Sequence, residues 1–548
     1  MKDEIDQEEV AKRRGIYFPA FSIYGGSSGL FDYGPYGSLI KDNIQNIWKE
    51  MIFSEGPVAM LDSPALTLQN VLKASGHYDR FFDYSVQCKS CNTKFRADDI
   101  VESLGLKVIL DRDYLNNIIR EKGIKCPKCG GEFDEVRIHK LMFQVDQGEN
   151  MDPLFLRPET AQGIFVNFKE FYRFFREKLP LAVIQIGRGY RNEISPRRGL
   201  YRLREFNMME CEVFLDPKDE KWVKEPYDDV KIHYLTNEDE ELFMTPKEAY
   251  EKGIIKSQPL AYFTGFAFKF YSRIGLDVNK IRFRQHKKED LSHYSSDTWD
   301  AEALTDIGWI EITGIAHRGT YDVGRHIEYS ARDLYAQRLV EPHKEKKIEL
   351  EPNFMEIKRD FGDKAGEIIK AINNGNSTVF LNNKQISLEK YIIRKEVEVT
   401  VDRESFVPIV VEPSFGLDRI IYALLDHNFD KREENGYVYL KIPPQVAPFI
   451  AGVYPLFPKE DLEKVAKDIY QKLLNDGFKV IYDDSGSIGK RYARYDEVGV
   501  PFGITIDYDT LKDSTVTIRF RDTTEQIRVS INDLTSKLRE LLWTGKKN

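Results

Sequence analysis

Arg191, Glu193, Arg202 and Phe206 fall within one stretch, Tyr190 to Glu212, that reads as two extended segments joined by a loop rich in Pro, Gly and Arg. These side-chain types suit a purine nucleoside triphosphate. Arg191 and Arg202 can fork onto phosphate oxygens, Glu193 can accept from an exocyclic amine, and Phe206 can stack on a base. The same residues equally fit a solvated basic hairpin. Further along, an apolar strand, Phe406 to Val411, leads through Glu412-Pro413-Ser414-Phe415-Gly416 to Arg419 at the head of a helix. Free backbone donors and a guanidinium then point the same way, which makes a phosphate site, or only a buried turn capped by an arginine. Glu159, in Arg157-Pro158-Glu159-Thr160, precedes another helix, where a carboxylate either suits the helix dipole or faces a substrate ammonium.

A third group of residues has metal-ligand spacing. Cys88 and Cys91 form one Cys-x-x-Cys pair, and Cys126 and Cys129 a second. Two such turns present four thiolates, which close a tetrahedral zinc site with no position open to substrate, so the site is structural. The interval between the pairs predicts a helix-bearing insert with Leu104, Leu106, Tyr114 and Ile118 as apolar candidates. Cys211 is left over and reads as a small buried hydrophobe.

The wording Tyr190-Arg191-Asn192-Glu193-Ile194-Ser195-Pro196-Arg197, with Arg204-Glu205-Phe206 after it, resembles motif 2 of the class II aminoacyl-tRNA synthetases, in the form found in the glycyl family of archaeal and eukaryotic type. Arg157-Pro158-Glu159-Thr160, Glu412-Pro413-Ser414 and a motif 3-like Gly416 to Arg419 are similar to the same family, in the same order. The resemblance implies ATP-dependent attachment of glycine to tRNA(Gly) through a glycyl adenylate. It implies ATP contacts from Arg191, Asn192, Glu193, Arg202, Leu203, Phe206, Glu311, Ile312, Gly416 and Arg419, with Arg191, Arg419 and Glu311 catalytic. A carboxylate such as Glu311 beside phosphates implies Mg²⁺, because like charges repel without a metal. Glycine is implied to sit among Arg96, Glu159, Glu210, Glu412, Ser414 and Arg318; Arg96 alternatively pairs with Asp98 or Asp99, and Arg318 with a structural partner. Glycine has no side chain to grip, so selection rests on its ammonium and on excluding anything larger, and no second editing site is required. A synthetase-like binding protein without catalysis is the rival, and intact Arg191, Glu193 and Arg419 argue against it.

The elements that must position these residues follow from pattern. Ile40, Ile44, Ile47, Trp48 and Met51 recur at helical spacing, and the resemblance makes this helix the motif 1 interface of a homodimer. Trp309 to Arg318 alternates like a strand. The expected fold is α/β: a class II antiparallel sheet flanked by helices, with insertions, followed by a C-terminal α/β anticodon-binding domain. The expected boundaries are 1–437 for the catalytic domain, containing insertions at 85–147, 215–300 and 340–402, and 438–548 for the second domain. There, Ser487 to Tyr492 places basic and aromatic residues side by side, which suits unstacked RNA bases. Of 548 residues, 41% are hydrophobic and 31% charged, as in a globular protein of several domains, and the net charge of -9 confines any RNA contact to a local surface. Met1 to Asp6 has no apolar core behind it and no long apolar run follows, so the chain is expected in the cytoplasm.

Overall fold

The structure, a computed structural model, describes residues 7–149, 151–196, 199–287, 295–381 and 384–544. Arg197 and Arg198, at the tip of the expected basic hairpin, and Met1 to Asp6 lie outside the described residues. Two compact units emerge, one of residues 1–334 with 408–548 and one of 335–407.

The first unit is built on a nine-stranded sheet. Its strands are β1 (Val58–Met60), β2 (Leu181–Tyr190), β3 (Glu205–Leu215), β4 (Ile232–Leu235), β5 (Glu241–Met244), β6 (Ile281–Gln285), β7 (Asp297–Thr305), β8 (Gly308–Gly319) and β9 (Ile409–Gly416). Their spatial order is β5-β4-β6-β7-β8-β9-β3-β2-β1. The middle of the sheet, β6 to β2, is antiparallel, and parallel pairings occur only where β1 joins β2 and β4 joins β6. The stretch 215–300, expected as an insertion, therefore supplies strands β4, β5 and β6 of the main sheet, and β7 begins within it. The sequence pattern hid this because β4 and β5 have only four residues each and pair at an edge.

Side chains alternate across a strand, so each face of the sheet has its own residue set. On β3, Met209, Cys211, Val213 and Leu215 enter the main apolar core, as do Val411 and Phe415 on β9. Helices α1 (Pro35–Phe53) and α3 (Gln258–Ile274) cover this face. Pro35 sits in the first turn of α1, where its missing N–H goes unneeded. Ile40, Ile44 and Trp48 are fully buried, and the Phe415 ring meets Trp48, Phe266 and Phe270 edge-on at 5.7, 6.2 and 5.6 Å. The alternate residues, Glu210 and Glu212 on β3 with Glu412 and Ser414 on β9, share the opposite face. That face is covered by α2 (Ala161–Val166) and α4 (Tyr321–Ser330), and β9 runs straight into α5 (Leu417–Asn428).

The cysteine-bearing segment forms a small core of its own around Val86, Phe95, Val101 and Leu115. Its 112–121 helix buries Leu115 and Ile119, the expected Leu106, Tyr114 and Ile118 pack half-buried against the same core, and Leu104 is exposed. At the C-terminus a five-stranded sheet orders 480–482, 451–455, 502–506, 515–520 and 526–530, packed by the helix Glu460–Asn475. The second unit, 335–407, is a long ribbon of Ala336–Pro352 paired with Ile392–Phe406, bearing two helices and a short hairpin around Ile357, Ile368 and Ile372. No helix among the described residues is long and apolar enough to cross a membrane.

Candidate active site

The β3–β9 pair opens on a cavity of about 190 Å³ lined by Arg191, Glu193, Arg202, Phe206, Glu311 and Arg419. Leu203, Ile312 and Gly416 also contribute to its wall. Two arginines far apart in the chain thus face one space. Arg191 lies between two rings, its guanidinium carbon 5.3 Å from the Phe81 centroid and 5.2 Å from that of Phe206. Gly189 is required beside this stack, because a Cβ there would lie 2.6 Å from the Phe206 ring and 3.1 Å from the Pro158 carbonyl. Arg419, in the first turn of α5, donates to the Glu311 carbonyl at 3.0 Å, to the Glu311 carboxylate at 3.1 Å and to the Tyr201 carbonyl at 3.1 Å. Burial works against the Glu311 anion, but Arg419, and further off Arg191, more than offset it and hold its carboxyl below the usual range. Asp418 anchors the turn, accepting from the Asn207 backbone N–H at 2.5 Å and from the Tyr33 hydroxyl at 2.5 Å.

Ser414 lines this cavity and donates to Glu210 at 3.0 Å, which joins it to a buried acidic cluster. Glu210 also accepts from the Thr160 backbone N–H at 2.7 Å and from the Thr160 hydroxyl. Glu159 accepts from Gln162 at 2.8 Å and faces His77 Nε2 at 3.4 Å and Arg318 at 3.9 Å. Arg318, only 1% exposed, spends its fork on Asp322, at 2.7 and 2.9 Å, and donates to Glu412. His326 donates through Nε2 to Gln162 at 2.9 Å and is held neutral by burial, which depresses its pKa to about 4.

The charges in this cluster do not balance. Glu159, Glu210, Glu212, Glu412 and Asp322 gather around Arg318, with Arg157 acting on Glu210 from further off. Burial would raise the Glu159 carboxyl, but His77, Arg318 and Gln162 pull it well below its ordinary value. Glu412 is pushed up to about 8 by burial, which Arg318 only partly offsets while Glu210 and Glu159 add repulsion. Burial and then Glu159 raise Glu210. Such a pocket favours an added cation, since an ammonium would relieve repulsion that one arginine leaves uncompensated.

Two residues expected here stand elsewhere. Arg96 is tied to Asp98, to Asp99 at 3.4 Å and to Asp83 at 3.7 Å, and lines a separate cavity of about 420 Å³ alongside Arg202. Three local carboxylates outcompete the distant glutamates for it. Asn192 faces a polar cavity on the other side of the loop, its backbone N–H donating to the Leu141 carbonyl at 2.7 Å and its carbonyl meeting His139 Nε2 at 2.6 Å. Conversely, sequence reading missed Glu212, Asp322, Thr160 and His77. The Glu-Cys-Glu alternation was a usable signal for Glu212, whereas Asp322 and His77 join the cluster only through tertiary contacts.

The four cysteines Cys88, Cys91, Cys126 and Cys129 converge, with all sulfurs within 4.8 Å of one another. Cys88 and Cys129 are 3.5 Å apart, and Cys91 and Cys126 3.8 Å. Tetrahedral zinc with bonds of about 2.3 Å would set its sulfurs about 3.8 Å apart, so the set fits that ion. In the C-terminal domain, Arg491 departs from its expected place on an RNA-facing surface. It is fully buried and donates to the carbonyls of Pro455 at 2.6 Å, Asp483 at 3.2 Å and Gly486 at 3.2 Å, stapling two loops together.

Comparison with known proteins agrees with this geometry. Residues 143–428 match the tRNA synthetase class II core domain (G, H, P, S and T), and residues 450–541 match the anticodon binding domain. The glycine–tRNA ligase of Thermococcus sibiricus is 44% identical, over 98% of both chains. That of Methanocaldococcus jannaschii is 42% identical, over 97% of this chain and 98% of its own. A prolyl-tRNA synthetase from Cryptosporidium parvum, solved with L-proline and AMP, shares the fold at a TM-score of 0.54 and 13% identity, covering 99% of this chain and 75% of that one. The chain belongs to the glycine–tRNA ligase family, with a class II synthetase core and a C-terminal anticodon-binding domain.

Proposed function

We propose that the chain joins glycine to the 3′ end of tRNA(Gly) in two steps within one site. The glycine carboxylate attacks the α-phosphorus of ATP, giving glycyl adenylate and pyrophosphate. The terminal ribose hydroxyl of the tRNA then attacks the activated carbonyl and releases AMP. Neither step needs a covalent enzyme intermediate, so the rate comes from positioning and from charge stabilisation. Arg191 meets the α-phosphate, Arg202 and Arg419 the outer phosphates, and Glu193 and Phe206 the adenine. Glu159, Glu210, Glu412 and Ser414 receive the ammonium, and Arg318 holds Glu412 in place. Glu311, kept anionic by Arg419, would hold a Mg²⁺, which would supply positive charge to the ATP phosphates. Arg96 is assigned to the wall of its own cavity and Asn192 to support of the loop.

The observation that carries this reading is Ser414, which lines the arginine cavity and bonds the acidic cluster, so that an adenylate phosphate and an ammonium have adjoining places. Pyrophosphate exchange assayed against every amino acid is expected to respond to glycine alone. Exchange driven equally by alanine or proline would refute it.

The four thiolates hold a structural zinc in this proposal, and the chain works in the cytoplasm as a homodimer. Phe21, Ile23 and Tyr24, 64, 87 and 85% exposed in the loop before α1, are apolar surface that a second copy would cover. Metal analysis is expected to find about one zinc per chain, and sedimentation a mass of two chains. Zinc well below one equivalent, or a monomer, would remove the respective assignment.

A further inference from the structure

Glu212 is fully buried and neither of its carboxyl oxygens has a hydrogen-bond partner. Its acidic neighbours are all provided for. Glu210 accepts from Thr160 and Ser414, Glu412 and Asp322 accept from Arg318, and Glu159 accepts from Gln162. The groups facing Glu212 are Glu412 on β9, Arg318 on β8, Glu210 on its own strand and Asp322 on α4. The β3–β9 register pairs Glu210 with Ser414 and Val213 with Val411, which sets Glu212 across from Glu412. Side chains directly opposite on one face are near neighbours, and two like charges there repel.

A carboxylate in that position, cut off from bulk solvent, would have no protein donor to replace its hydration, whereas a carboxylic acid needs far less. Arg318 does not serve it: its guanidinium is turned to Asp322 and Glu412, and neither Glu212 oxygen accepts a hydrogen bond from it. We infer that Glu212 is a neutral carboxylic acid in the working enzyme, a proton-bearing positioning residue that leaves Glu412, held by Arg318, as the member of the pair that ionises when it receives the amino group of glycine. The proton stays on Glu212 throughout the reaction and no transfer is involved. Neutral Glu212 limits the negative charge beneath the substrate and keeps Arg318 committed to Glu412. This deepens the proposed function, since it rests on Glu412 as an ammonium ligand.

Burial and the nearby Glu412 raise the Glu212 carboxyl far above its unfolded value, so the folded state binds more protons than the unfolded one. Stability therefore falls as pH rises from the ordinary carboxylate range, of about 4, toward that raised value. Three measurements test the inference. Glu212→Ala is expected to raise the glycine KM about tenfold by loosening Glu412, and Glu212→Gln, neutral and of equal size, to recover most of that loss. Glu212→Gln is also expected to flatten the fall of Tm with rising pH. On the unaltered protein, which needs no variant other than as a reference, infrared spectra should contain a protonated-carboxyl band that Glu212→Gln lacks. A Glu212→Gln enzyme as impaired as Glu212→Ala, or spectra without that band, would show that Glu212 is an anion. An unchanged glycine KM in Glu412→Gln would instead remove the ammonium assignment, leaving the infrared result to decide Glu212 separately.

Discussion

Arg191→Ala is expected to lower glycine-dependent pyrophosphate exchange by about 10²- to 10³-fold, the scale of losing one preorganised donor to developing charge. The loss should fall mainly on kcat, because the guanidinium meets the α-phosphate most strongly as negative charge builds on it in the transition state. Its position between Phe81 and Phe206 means that alanine also removes a cation from two ring faces, so a smaller rise in the ATP KM should accompany the effect. Arg191→Lys should recover little, since a point charge does not reproduce the planar fork. Binding of tRNA(Gly) should persist, because the C-terminal domain does not depend on this side chain. Unchanged exchange in Arg191→Ala would withdraw the assignment.

Arg318→Ala should have the largest effect on stability. The guanidinium is 1% exposed and is the cation that Glu412 and Asp322 both rely on. Removing one partner of such a buried pair destabilises by about 3–5 kcal/mol, because the remaining charges keep their desolvation penalty. The pH dependence has a definite sign. Glu412 already stands at about 8 with the arginine present, and losing it raises that value further. A carboxyl raised on folding makes stability fall as pH climbs through the window between its unfolded and folded values. The variant should therefore lose least at mildly acidic pH and most above neutrality, as followed by Tm across a pH series. Equal losses at all pH values would mean that packing, including the contact of Arg318 with Phe165, accounts for the effect.

What could be read in the sequence was whatever is encoded locally. The Cys-x-x-Cys pairs announce a metal cluster because each turn alone sets two sulfurs, and the strand–Gly–helix passage around Arg419 fixes where that side chain emerges. Of the amino-acid pocket, Glu159 carried a local reading as a carboxylate facing an ammonium, whereas Glu210 and Glu412 were reachable only through family resemblance, since they come together through strand register. Glu212 lay close to a residue already singled out, and what distinguishes it from the equally buried Glu210 is that neither of its oxygens has a hydrogen-bond partner. Strands β4 and β5 were hidden for another reason: four-residue strands at the edge of a sheet carry little pattern. Arg491 shows the converse error, because a basic residue among aromatics looks the same in sequence whether it faces RNA or closes two loops.

Ala336 and Phe406 are register partners at the base of the 336–352 and 392–406 ribbon. The chain thus sets out on this excursion and returns from it one strand-spacing apart, with the core of 357–391 carried on a closed stalk. In genetic terms the 335–407 segment is a cassette. A single insertion or deletion event could add it, exchange it or trim it without rethreading any strand of the nine-stranded sheet.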